Sequence, residues 1–192
     1  MFRGALLLVV LLCMQPLVAS DPVLEGRQHG VEFNFARLLL VTSAVKSASG
    51  TFSWFDHAGR VEIAMPWTID LVTDDYMDGR REHRDEYDLD LHYRKFLGAS
   101  LGGFYLSGFV RTTLLNGLRK GGDGYKKTWK TGAGVGIGYR YFPTHARYYW
   151  GMGLIVGRYL IGKNNIYDEG GPLFNDAPEI IDLELLKFGY AF

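Results

Sequence analysis

The sequence predicts an all-β fold: an eight-stranded antiparallel up-and-down β-barrel that crosses a membrane. Three observations carry that prediction. Eight segments alternate polar and apolar residues with period two, the mark of strands with unlike faces. The connections between them alternate long and short. Aromatic residues gather near strand ends, where the two interfaces of a membrane favour them.

Composition narrows the class further. The 192 residues include 25 glycines, 4 Trp, 12 Tyr and 12 Phe. Disordered chains are poor in aromatics, so disorder is excluded. The 21 basic and 21 acidic side chains cancel, which removes any reason to expect nucleic acid as a partner.

Residues 1–20 read as a secretory signal peptide, with Arg3 as the positive start, 5–12 (ALLLVVLL) as the apolar run and small residues before Asp21. The run is too short for a transmembrane helix, which needs roughly 20 residues. Cleavage there removes Cys13, the only cysteine, and with it any disulfide or cysteine-bound metal. Residues 21–30 form a short leader, and 31–192 form the barrel.

Within 31–192 the expected strands are 31–41, 49–55, 60–69, 87–96, 100–112, 128–142, 146–160 and 179–192. Tight turns join them at 56–59, 97–99 and 143–145. Longer polar loops fall at 42–48, 70–86, 113–127 and 161–178. Long loops on one rim and short turns on the other match a barrel with loops outside the cell and turns in the periplasm. The even strand count returns both ends to the turn side.

The faces are explicit in three strands. In 87–94, Tyr87, Leu89, Leu91 and Tyr93 alternate with Asp88, Asp90, His92 and Arg94. In 131–141, Val135, Ile137, Tyr139 and Tyr141 alternate with glycines and Arg140. In 148–156, Tyr148, Trp150, Met152, Leu154 and Val156 alternate with Tyr149, Ile155 and glycines. Glycine-rich faces suit the crowded interior of a narrow barrel. A soluble lipocalin-like carrier would alternate equally well with its apolar face inward; the aromatic strand ends favour the membrane version.

The last strand alternates Leu186, Phe188, Tyr190 and Phe192. That parity would send Asp182 and Glu184 into lipid, at a cost of up to a few kcal/mol each. A bulge at Leu185–Leu186 would switch parity and turn both carboxylates inward.

An alternating aromatic strand ending in Phe resembles the signal read by the outer-membrane assembly machinery, here Phe188, Tyr190 and Phe192. With the signal peptide and the eight strands, the chain is similar to small outer-membrane proteins of the OmpA/OmpX type, nearest to barrel families of unknown function. The resemblance is one of architecture and of the terminal strand. It implies a monomer in the bacterial outer membrane, with lipid, lipopolysaccharide and the barrel assembly machinery as partners.

With those faces, the inward polar residues are Glu32, Asn34, Glu62, Asp88, Asp90, His92, Arg94, Arg111, Arg140, Asp182 and Glu184. An eight-stranded barrel is only wide enough for side chains to fill, and charges taken from water must pair. An ion-paired plug centred on Arg94, Arg111 and Arg140 is therefore expected, with a gated narrow pore as the sharper alternative.

The resembling barrels include lipid A-modifying enzymes, so a nucleophile must be sought. Of the five histidines, only His92 shares an inward face with a serine on a nearby strand, Ser107, and no motif supports the pair. No catalytic residue, cofactor or metal is expected. The second loop carries Asp74, Asp75 and Asp78 without calcium-loop spacing, and Arg80, Arg81 and Arg84. The third is basic, with Lys120, Lys126 and Lys127. These six bases are the candidates for lipid-phosphate contacts. The functional expectation is a structural or surface-interaction role delivered by the loops.

Overall fold

In a computed structural model, the protein forms one closed antiparallel barrel whose strands neighbour each other in sequence order, with the first pairing the last. The residues described are 26–39, 41, 45–72, 83–98, 100–118, 126–143, 146–162 and 178–192. The segment expected to be a signal peptide, residues 1–20, lies outside them. The strands are β1 His29–Asn34, β2 Val45–Asp56, β3 Val61–Val72, β4 His83–Phe96, β5 Gly103–Leu118, β6 Lys126–Tyr141, β7 Tyr148–Gly162 and β8 Glu179–Ala191.

The first strand departs from expectation. Instead of running to 41, β1 stops at Asn34, and a short helix, α1 (Phe35–Leu39), follows. The Asn34 side-chain carbonyl accepts a hydrogen bond from the Ala36 N–H at 3.2 Å, capping the helix start. The physical reason lies with Arg37. In a continued strand, position 37 would share the outward face of Phe33 and Phe35; the helical turn lets Arg37 reach the lumen instead.

Other boundaries shift outward on the loop side. β2 begins at Val45 rather than 49, β5 continues to Leu118 and β6 begins at Lys126. The expected loops at 42–48 and 113–127 thus lose residues to the ladders, because polar side chains near a rim do not prevent backbone pairing. On the turn side, β5 starts at Gly103 rather than 100.

Above Asn34 the wall changes character. β1 pairs with β8 only over Gly30–Asn34 against Lys187–Ala191. At greater height, α1 lies beside β8 and β2. The ladder between β3 and β4 is interrupted between the pairs Ala64–His92 and Trp67–Leu89, where Pro66 has no N–H to donate.

The β7–β8 register jumps from Gly151–Lys187 to Gly153–Glu184. Leu185 and Leu186 therefore face the single residue Met152, and Leu186 adopts φ 52°. This is a β-bulge at the position the parity argument required. Leu183, Leu185, Leu186 and Phe188 all point outward, while Asp182 and Glu184 point in.

The barrel's polarity is inside out. Large apolar residues cover the exterior, with Ile181 74% and Val135 62% exposed, while Arg94 and Glu62 are completely buried in the lumen. At the turn end the interior is apolar: Phe55, Phe96, Leu101, Tyr105, Tyr149 and Ala191 cluster with Phe142. Inward glycines make room for these rings. A Cβ on Gly138 would collide with Tyr105, and one on Gly189 with Tyr149.

Candidate functional site

The lumenal charges form two layers above the aromatic floor. Four adjacent strands and β6 position the lower layer: Glu32 on β1, Ser53 on β2, Glu62 on β3, Arg94 on β4 and Arg140 on β6. Arg140 donates to Glu32 at 2.6 Å and to Glu62 at 3.0 Å. Arg94 donates to Glu62 at 3.1 Å and sits 3.6 Å from Glu32. The Ser53 hydroxyl donates to Glu62 at 2.5 Å. Lys187 of β8 closes this layer, donating to Glu184 at 2.7 Å and lying 3.8 Å from Glu32.

Two arginines facing two carboxylates balance the charge, which is the condition for holding ions out of water. Their remaining guanidinium surface meets aromatic rings. Arg140 lies 4.6 Å from the Tyr149 centroid and 5.1 Å from Phe96, and Arg94 lies 5.4 Å from Tyr105. Ring faces attract cations, so the aromatic floor also packs against the charge layer.

The upper layer is built on Arg111 of β5. It grips Asp90 of β4 with two hydrogen bonds of 2.8 Å, a bidentate geometry suited to guanidinium. It also reaches Asp182 at 3.3 Å and Asp88 at 3.9 Å. Arg37 joins from α1, bridging Asp70 and Asp182 at 3.0 Å each. The Thr113 hydroxyl donates to Asp88 and sits 2.8 Å from the Tyr159 hydroxyl. Phe109, Ile155 and Ile180 pack together in the wall at this level, against Tyr159. Near the loop rim, Lys130 lies 3.9 Å from Glu86 and 3.9 Å over the Tyr159 ring.

The ten charged or histidine residues expected inside are thus brought together, in two clusters rather than one. Asn34, also expected inside, is buried and caps α1. His92 meets Asp90 at 3.2 Å and stacks near Phe109, with ring centroids 5.2 Å apart. Ser107 stands opposite Arg94 in the ladder, while His92 stands opposite Phe109. No hydrogen bond joins His92 to Ser107, so the base is engaged by a carboxylate rather than by a nucleophile.

Sequence reasoning missed Arg37, Asp70 and Lys187. Lys187 had a signal, because counting back from Phe192 puts 187 on the inward parity. Arg37 had none, since its segment reads as strand. Asp70 falls within the loop expected at 70–86, but β3 extends two residues beyond it.

The remaining candidates separate by place. Phe188, Tyr190 and Phe192 face outward. The His29 N–H donates to the Phe192 carbonyl at 3.2 Å, and the Phe192 N–H donates to the His29 carbonyl at 2.9 Å, so the terminal residue sews the barrel shut. Arg84 is engaged with Glu86 at 2.6 Å. Lys126 and Lys127 are exposed at the loop end of β6. Arg80, Arg81 and Lys120, like the aspartates of the second loop, lie outside the described residues.

Compared with protein-family models, with curated proteins and with solved structures, the chain gives no match.

Proposed function

We propose that this chain is a bacterial outer-membrane β-barrel protein whose ion-paired interior is a structural plug and whose role is structural or surface-interacting through its loops. The observation that carries the reading is the apolar exterior and its height. On β7 the outward residues are Tyr148, Trp150, Met152, Leu154 and Val156, followed by Arg158. The ten steps from Tyr148 to Arg158, at about 3.3 Å each and tilted by roughly 40°, bound an apolar band of about 25 Å, the height of an outer-membrane barrel's lipid-facing belt. Tyr148, Phe188 and Tyr190 form an aromatic edge at the turn end, as an interface girdle would.

A closed sheet leaves little edge for other chains to pair with, which supports a monomer. The signal peptide and the terminal Phe support export and recognition by the assembly machinery. A soluble carrier needs an apolar cavity, whereas this lumen is lined by carboxylates and guanidinium groups. A lipid A-modifying enzyme needs a nucleophile held against a base, and His92 is instead held by Asp90.

The test is fractionation of expressing cells, with the membrane fraction then run on a gel with and without boiling. Sedimentation with membranes, resistance to urea extraction and a heat-dependent mobility are expected. A protein that stays soluble in the periplasm without detergent would sink the proposal.

A further inference from the structure

The lipid-facing wall is not uniformly convex. Between β5 and β8, near mid-height, an apolar groove of about 230 Å³ opens on the outer surface. Its cause is local. The bulge at Leu185–Leu186 displaces β8 from the regular β7 register, and the outward backbone of the paired, inward-facing residues Gly138 and Gly153 forms part of the lining. Phe104 and Tyr139, with ring centroids 5.0 Å apart, flank one side; Leu183 and Leu185 flank the other.

Below the groove the foot of β7 carries a cation. Arg147, exposed at the foot of β7, donates one hydrogen bond to the Tyr190 hydroxyl at 3.3 Å. Its backbone carbonyl accepts the Ala191 N–H at 2.7 Å, which fixes its place on the turn rim. It pairs with no carboxylate among the described residues. From Arg147 to Met152 is five residues, about 16 Å along the strand and roughly 12 Å of depth after tilt. That separation fits within one leaflet, whose hydrocarbon is about 15 Å thick.

From this spacing we infer that the groove holds an acyl chain of one glycerophospholipid from the turn-side leaflet, with its phosphate on Arg147. This rests on the membrane reading above. The tail's fit comes from the concave apolar wall; the hold on the headgroup phosphate comes from guanidinium–phosphate hydrogen bonding. Apolar contact alone would not distinguish this lipid from its neighbours, because hydrocarbon tails are as apolar as leucine. The headgroup contact is therefore what holds a lipid here longer than elsewhere on the wall.

The experiment uses the full chain, released from membranes in dodecyl maltoside, delipidated and titrated with dioleoyl phosphatidylglycerol. Native mass spectrometry counts the lipids retained, and a heat-mobility gel on each sample reports the folded barrel. One lipid on the wild-type protein is expected. Arg147→Gln should lower its retention about tenfold, Arg147→Lys should keep most of it, and Met152→Trp should abolish it by filling the groove. Lys46→Gln, an exposed base near the opposite rim, should change nothing. Equal retention by wild type, Arg147→Gln and Met152→Trp on folded protein would overturn the inference while leaving the membrane reading intact. So would a dimer mass in place of the lipid adduct, which would give the groove to a second copy. A chain that needs no detergent to stay soluble would instead remove the reading on which the site depends.

Discussion

Arg37 and Asp182 meet in the lumen through two hydrogen bonds of 3.1 and 3.0 Å, although 145 residues separate them. Arg37 comes from α1, the one helical stretch among the described residues, and Asp182 from the height of β8 that β1 does not reach. Arg37 also holds Asp70 of β3, and Asp182 also receives Arg111 of β5. The bridge thus ties the helix to three strands. It fastens the part of the barrel that lacks a continuous ladder.

Arg37→Ala should therefore weaken the barrel more than its rim position suggests. Removing one partner of a buried pair costs about 3–5 kcal/mol; with Arg37 one-fifth exposed, we expect about 2–3 kcal/mol after allowing for solvent screening. The double variant Arg37→Ala/Asp182→Ala should recover part of that loss, with a coupling of about 1–3 kcal/mol. Urea midpoints of the protein in micelles, read from gel mobility, measure both. Strictly additive losses would show that the two residues do not act as a pair.

The lower layer should be less forgiving. Glu62 is fully buried and serves Arg94, Arg140 and Ser53 together. Glu62→Gln leaves two buried guanidinium groups facing one remaining carboxylate, and about 3–5 kcal/mol should be lost. Asp70→Asn, at a partner 28% exposed, should cost distinctly less. Comparing the two unfolding midpoints tests the ranking, and an equal or reversed order would count against the layered picture.

Strand alternation made much of this interior readable. Asp88, Asp90, His92 and Arg94 share one parity of β4 and lie inside; Val135 and Ile137 share the other parity of β6 and lie outside. The bulge was readable too, because uninterrupted parity would have put Asp182 and Glu184 on the apolar exterior. What alternation could not supply was register. Arg140 finds Glu62 across 78 residues, and only the stagger of the intervening strands decides that meeting. Nor could it supply α1, because Phe33, Phe35 and Arg37 fall on one strand face and nothing local reveals that the chain turns before Arg37 reaches the apolar exterior.

The aromatic floor should keep the lumen closed to ions. Phe55 and Tyr149 are packed edge to face at 6.3 Å, and Tyr149 lies under Arg140. Wild-type protein in planar bilayers should show no steady conductance, since the space of an eight-stranded barrel is taken up by side chains. Phe55→Ala/Tyr149→Ala removes two rings from the turn end and should give small, resolvable conductance steps. Arg37→Ala, which leaves the floor intact, should give none. Conductance in Arg37→Ala but not in the floor variant would put the barrier at the loop end instead.

The bulge offers the sharpest separation between shape and sequence. Leu186 holds φ 52°, a conformation that costs a residue with a Cβ roughly 1–2 kcal/mol. Leu186→Gly removes that strain and loses only an outward apolar side chain, so its unfolding midpoint should lie within about 1 kcal/mol of wild type. Deleting Leu186 is a different change. It removes the extra residue, restores the β7–β8 register and forces a choice between two costs. Either Lys187, Gly189 and Ala191 turn outward, or Asp182 and Glu184 leave Arg37, Arg111 and Lys187 for the apolar exterior. On the membrane reading proposed above, a basic group facing the middle of a bilayer costs up to about 2–4 kcal/mol and a carboxylate less, and the abandoned bases are left unpaired. The deletion should fail to give a heat-modifiable barrel on refolding, while Leu186→Gly should refold as well as wild type. A deletion variant that folds normally would show that the inward carboxylates do not set the register of the last strand.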